Sequence, residues 1–276
     1  MRHRFCLCDH SLRDMFTHMQ MTPVHLVIAA VAAFLAGGIN SVAGGGTLVT
    51  FPTLMALGLP PVIANATNTV AIWPGTVGSL WGFRREFAQT ETRMRWLVIP
   101  SVIGGAAGAL LLRITPPNAF EKMVPFLVLF ATVIFTARAP IQRLIKSAHP
   151  EAHRTKKWFV IGLVFQMLVG LYGGYFGAGI SIMMLSALSI FGMTDMLQMN
   201  ALTSLFSLCI NGVAALLFIW ASMVYWPYVL VMAIGSILGG YGAAGLARKI
   251  GGDRVRVFVL VVGYAISALL FVKMLR

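Results

Sequence analysis

Charge is what this chain has least of. Asp, Glu, Lys and Arg make up 11% of its 276 residues, against about a quarter in soluble domains. Hydrophobic residues reach 58% and mean hydropathy is +0.84. That balance excludes a soluble globular domain and defines an integral membrane protein. Acid is scarcest. The only carboxylates are Asp9, Asp14, Glu86, Glu91, Glu121, Glu151, Asp195 and Asp253, and none sits in the middle of an apolar run. Carboxylates at membrane depth are the usual mark of proton relays and cation sites, so a proton pump or cation carrier loses ground. Cysteine is nearly absent too. Cys6-x-Cys8 lacks the spacing of a zinc or redox pair, and Cys209 stands alone in an apolar stretch. No metal, cofactor or disulfide framework is expected, and no catalytic cluster suggests an enzyme.

Apolar runs of about 20 residues span a bilayer. They fall at Val24 to Val42, Val62 to Phe83, Trp96 to Leu112, Met123 to Ala137, Trp158 to Tyr172, Leu197 to Trp220, Tyr228 to Leu246 and Val255 to Val272. The formal charge of +13 lies almost wholly between them. Arg84, Arg85, Arg93 and Arg95 share one loop; Arg248, Lys249, Arg254 and Arg256 share another. A basic, proline-containing linker at 138–157 divides a first transmembrane repeat at 24–137 from a second at 158–276. Basic residues in short loops mark the cytoplasmic face, which makes nucleic acid the poor reading of the charge and a lipid bilayer the first partner. The polar segment 1–23 has no signal-peptide core and is read as preceding a later start at Met15, Met19 or Met21. If all three basic loops are cytoplasmic, each half crosses an odd number of times and the second repeat is inverted. The competing arrangement has four plus four parallel spans, and it strands the last basic loop outside. The inverted one is favoured.

Each half opens on an apolar stretch broken by glycine. The first reads Ala43-Gly44-Gly45-Gly46-Thr47, with Gly58 and then Asn65-Ala66-Thr67-Asn68 beyond it. The second reads Gly177-Ala178-Gly179-Ile180-Ser181, with Gly192 and then Asn200-Ala201-Leu202-Thr203-Ser204. Matched glycine-interrupted segments in two halves point to a transporter's substrate site. A helix restarting after such a break exposes unsatisfied backbone N–H groups and the positive end of its dipole. Neutral peptide groups can therefore hold an anion. Gly44, Gly45, Gly46 and Thr47, with Gly177, Gly179 and Ser181, would hold it; Asn65, Asn68, Asn200, Thr203 and Ser204 would complete the shell. Competing readings are helix packing for the glycines and hydroxyls bonded to their own helix. The runs Gly104-Gly105-Ala106-Ala107-Gly108 and Gly239-Gly240-Tyr241-Gly242 are read as packing alone.

At these residues the chain resembles the sulfite exporter (TauE/SafE) family, which includes permeases of the 4-toluene sulfonate type. The resemblance rests on Ala43 to Thr47 with Phe51-Pro52 and Gly58-Leu59-Pro60-Pro61, on Ala64 to Asn68, and on Gly177-Ala178-Gly179 with Asn200-Ala201. It implies a multi-pass bacterial inner-membrane carrier of two homologous halves, linked to sulfite, sulfoacetate and other organosulfonates. The expected fold is all-α, each half a glycine-broken re-entrant helix pair followed by three transmembrane helices. The expected function is export of a small sulfur-containing oxyanion by alternating access. The alternatives are an anion channel, a carrier of an unrelated small carboxylate, or a membrane enzyme or assembly factor. Homo-oligomerisation is left open.

Overall fold

A computed structural model describes residues 22–42, 45–82, 84–90, 92–137, 156–193, 195–240 and 252–275. The leader, most of the mid-chain linker, Gly44, and the loop carrying Arg248 and Lys249 lie outside these. The described residues are mostly helical and contain no strand. In the first half they form α1 (Pro23–Val42), α2 (Thr47–Ala56), α3 (Pro61–Gly82), the short α4 (Arg84–Ala88) and α5 (Thr92–Arg95), α6 (Val98–Ile114) and α7 (Pro117–Thr136). The second half gives α8 (Lys156–Tyr175), α9 (Ile180–Ile190), α10 (Met196–Trp220), α11 (Trp226–Leu238) and α12 (Gly252–Leu275).

Local chemistry sets the ends. Asp195 Oδ1 accepts from the amides of Leu197 at 2.9 Å and Gln198 at 3.3 Å, an N-cap that starts α10. Proline opens α7 and α11, where its missing N–H costs nothing. For α7 this moves the start to Pro117, ahead of the Met123 that hydropathy indicates, because Glu121 and Lys122, just past the first turn, lower the hydropathy there.

Length and composition suit α1, α7, α10 and α12 to cross a bilayer, and α2, α6, α8, α9 and α11 are shorter apolar helices. Their outer faces are apolar: Val24, Leu216, Val261 and Leu269 are each more than 60% exposed. A surface this apolar faces lipid rather than water. The 22-residue α3 is long enough but too polar to stand with the four. It carries Asn65, Thr67, Asn68 and Thr69, all buried in protein.

The halves interlock rather than sit side by side. From the first half, α6 packs on α8 and α10; from the second, α11 packs on α1 and α3. Exchanging the halves reproduces the pattern, with α3 against α10 and α7 against α12 as self-matched pairs. Glycine makes the tightest crossings. On α11, a Cβ at Gly235 would lie 2.6 Å from the Ala30 carbonyl oxygen, and one at Gly239 would overlap that of Phe34. On α6, Cβ atoms at Gly104 and Gly108 would overlap the carbonyl oxygens of Met167 and Leu171. Both are small-xxx-small contacts between parallel helices, matching the packing role read for Gly104, Gly108 and Gly239. Gly240 departs from it, with nothing within 4 Å of its Cβ position and a place on a cavity wall, and Tyr241 and Gly242 lie outside the described residues.

Neighbour contacts also fix relative directions. Ala30, Phe34 and Gly37 meet Gly235, Gly239 and Gly240 in order, so α1 runs parallel to α11. Thr67 Oγ1 accepts from Tyr225 N at 3.0 Å, and Ser236 Oγ reaches the Ala71 carbonyl at 3.4 Å, so α3 also runs with α11. By contrast α3 and α10 are antiparallel: Thr67 meets the chain beyond the end of α10, while Trp73 Nε1 donates to Leu208 O at 3.1 Å. The pair α7 and α12 is antiparallel as well, with Phe126 against Phe271 and Thr136 against Tyr264.

Candidate functional site

Both glycine breaks open onto one cavity of about 720 Å³. The first break supplies Gly45 and Thr47, the second Gly177, Gly179 and Ser181. Gly45 has φ +90° and Gly179 φ +75°, left-handed backbone that only glycine adopts cheaply. These turns let α2 and α9 restart inside the protein rather than continue α1 and α8. The second break is braced by Tyr172, whose OH donates to the Ala178 carbonyl at 2.8 Å. Behind it, Phe176 closes the cavity floor, stacked edge-on to Phe51 of α2 with ring centroids 5.2 Å apart.

The side walls come from α3 and α10, at matched positions. Asn68 and Thr203, Thr69 and Ser204, Ile72 and Ser207, and Thr76 and Asn211 all line the cavity. Each pair is 135 positions apart, the interval that also relates Asn65 to Asn200. Thr69 and Ser204 spend their hydroxyls on their own helices, donating to Asn65 O at 3.0 Å and Asn200 O at 2.9 Å. Asn68 and Thr203 differ: both are buried, and Asn68 Oδ1 and Thr203 Oγ1 have no hydrogen-bond partner among the described residues. Leaving such groups unpaired costs free energy; the Thr203 hydroxyl can donate to an oxyanion, whereas Asn68 Oδ1 accepts only and needs a donor. Among the described residues that line it, none is ionisable.

Not every expected residue reaches the space. Gly46 is buried and its N–H is already taken by Asn40 Oδ1 at 2.8 Å. Asn65 is off the wall, its Nδ2 donating 2.9 Å to the Tyr175 carbonyl at the end of α8, which ties α3 to the second break. Asn200 is also absent from the wall, and Gly44 lies outside the described residues. Conversely, Asn40, Asn211, Ser207 and Ser236 line the cavity without being singled out as binding residues. The signal for Asn40 and Asn211 was present, since a neutral amide inside an apolar run is costly to bury without partners.

The lining is uneven in exposure: Phe176, Asn68 and Thr203 are buried, whereas Val77, Gly78 and Trp81 at the end of α3 are exposed and form a mouth. Val77 is 52% and Trp81 68% exposed. Past the mouth the chain enters the basic segment with Arg84, Arg85, Arg93 and Arg95.

Fold and cavity together define a multi-pass helical membrane protein with a polar, uncharged chamber inside it. The chain belongs to the sulfite exporter TauE/SafE family, whose pattern matches residues 29–270. It is 28% identical over 244 residues to a "Probable membrane transporter protein" of Haemophilus influenzae, covering 88% of this chain and 93% of that one. To the "Probable membrane transporter protein YfcA" of Escherichia coli K12 it is 29% identical over 253 residues, 90% of each chain. No solved structure matches it. The chain is thus a membrane transporter of this family, a class distinct from enzymes.

Proposed function

We propose that the protein is a secondary transporter in the bacterial inner membrane that exports a small sulfur-containing oxyanion, sulfite or an organosulfonate, by alternating access around this cavity. The observation that carries the reading is the wall itself. Matched positions of two repeats converge there, offering amides, hydroxyls and helix starts with no formal charge. An oxyanion can be held by such preorganised dipoles, and a site without a fixed cation also releases it readily. Glycines 45, 177 and 179, with Thr47, Ser181, Asn68, Thr203 and Ser204, form this site; Asn65 and Asn200 support it from behind.

The repeats at 24–137 and 158–276 are homologous and inverted. Antiparallel self-matched pairs, α3 with α10 and α7 with α12, support this, because a two-fold axis that reverses helix direction lies in the membrane plane. The re-entrant reading is supported by α1 and α3 running the same way beside α11, which leaves α2 to double back between them. With the basic loops cytoplasmic, the mouth at Trp81 opens inward. Inward opening suits an exporter loading from the cytoplasm. Expulsion needs no proton relay, since an inside-negative potential supplies about 2.3 kcal/mol per charge per 100 mV.

The test is a thermal-shift screen of purified protein against sulfite, sulfate, thiosulfate, sulfoacetate, taurine and simple carboxylates, followed by flux into proteoliposomes. A ligand that binds only the folded form raises the melting temperature. Stabilisation by a sulfur oxyanion with saturable flux supports the reading. Stabilisation by none of them, or flux that never saturates, defeats it.

A further inference from the structure

Asn40 holds a position that neither its helix nor the packing of α1 requires. Its neighbour Ile39 is buried, yet Asn40 is exposed and lines the cavity. Its carboxamide does two things at once. Oδ1 accepts the Gly46 N–H at 2.8 Å, bridging the first break from α1 to the start of α2. A backbone N–H can only donate, so this bond fixes which end of the amide faces Gly46. Nδ2 is left on the other branch, with no partner among the described residues. The fit depends on Gly46, where a Cβ would lie 2.7 Å from the Ala36 carbonyl oxygen and 2.9 Å from Asn40 Nδ2.

The second break is built differently. Gly177 is flanked by Asn211, whose Oδ1 is 3.9 Å from where a Gly177 Cβ would be, and among the described residues no side-chain bond like that of Asn40 to Gly46 bridges this break. The two breaks are therefore chemically unequal despite their matched backbones. Resting on the anion-transport reading above, we propose that Asn40 is an anion-selecting residue. It takes one backbone N–H out of the cavity and returns a two-hydrogen side-chain donor in its place. The cavity gains directional donors for an oxyanion while carrying no positive charge that would trap it. The amide end presented to the solute is thus decided by the bond to Gly46.

Asn40→Asp tests this. The carboxylate keeps an acceptor for the Gly46 N–H, so the break stays bridged, but it removes the donors and adds a negative charge. Protonating it restores a neutral group with an O–H donor. The probe is methanesulfonate, which stays singly charged at neutral and acidic pH, with affinity measured by its effect on melting temperature and by competition in flux. Losing a hydrogen bond to a charged group should weaken binding by roughly tenfold or more. The expected result is that loss at neutral pH, recovery in acid, a wild type indifferent to the same pH change, and a ligand-free melting temperature close to wild type. Unchanged affinity at neutral pH overturns the proposal. Equal loss at both pH values overturns it as well, because it shows that Asn40 acts through the fold. If the wild type binds neither methanesulfonate nor any anion of the earlier screen, the transport reading fails first and takes this one with it.

Discussion

Asn68 and Thr203 face the same cavity from antiparallel helices, and each buries an oxygen that no group among the described residues satisfies. They lie 135 positions apart, the interval that also separates the other facing pairs of the wall. An unpaired buried polar group destabilises, whereas an apolar replacement of the same shape is near neutral or stabilising. Thr203→Val should therefore leave the ligand-free protein as stable as wild type, or raise its stability by up to about 1 kcal/mol. The same variant should lose the stabilisation given by the anion. Unfolding midpoints with and without ligand check both halves of the statement; a variant less stable without ligand but still responsive would contradict it.

The two breaks should respond unequally to alanine. At Gly179 the added methyl meets only ordinary contacts, 3.5 Å from the Ala131 carbonyl oxygen, so the cost is the left-handed backbone alone, about 1 kcal/mol. At Gly45 the methyl would also lie 2.9 Å from the Phe135 ring, and overpacking raises the cost to roughly 2–3 kcal/mol. Chemical unfolding in detergent of Gly45→Ala and Gly179→Ala gives the order directly.

Helix crossings make a sharper contrast. Gly108→Ala and Gly239→Ala push a methyl into the carbonyl oxygens of Leu171 and Phe34, backbone that cannot step aside. Each should destabilise by about 3 kcal/mol and reduce the yield of folded protein. Gly78→Ala has nothing within 4 Å and gains helix propensity, up to about 1 kcal/mol. Melting temperatures of the three variants should separate cleanly.

Access can be read by thiol labelling. In a cysteine-free background, Gly78→Cys should react with a membrane-impermeant maleimide applied from the cytoplasmic face, and bound anion should slow the reaction. Gly212→Cys, under the Trp73 indole, should stay protected until the transporter turns outward. Labelling of Gly78→Cys from the external face alone would reverse the assigned orientation.

Much of this architecture is legible in the residues. Glycine clusters interrupting apolar runs mark where the helices break, because no other residue takes φ near +80° without strain. Asn68, Thr203 and Ser181 stand out because neutral polar groups are costly at depth. Other details were illegible. Asn65 and Asn68 lie on the same helix three residues apart, and nothing local says that one reaches into the cavity while the other reaches out to Tyr175. Nor does the motif reveal that the Gly46 amide is occupied, since its partner Asn40 lies on the preceding helix.

Composition and pattern alone determined a helical membrane protein with duplicated chain interruptions, since burying polar backbone in lipid leaves few other solutions. Only the tertiary structure decided which helices exchange partners between the halves, which polar atoms are left unpaired, and which end of the chamber is open. Those depend on close approach between segments more than a hundred positions apart, and no local preference encodes that geometry.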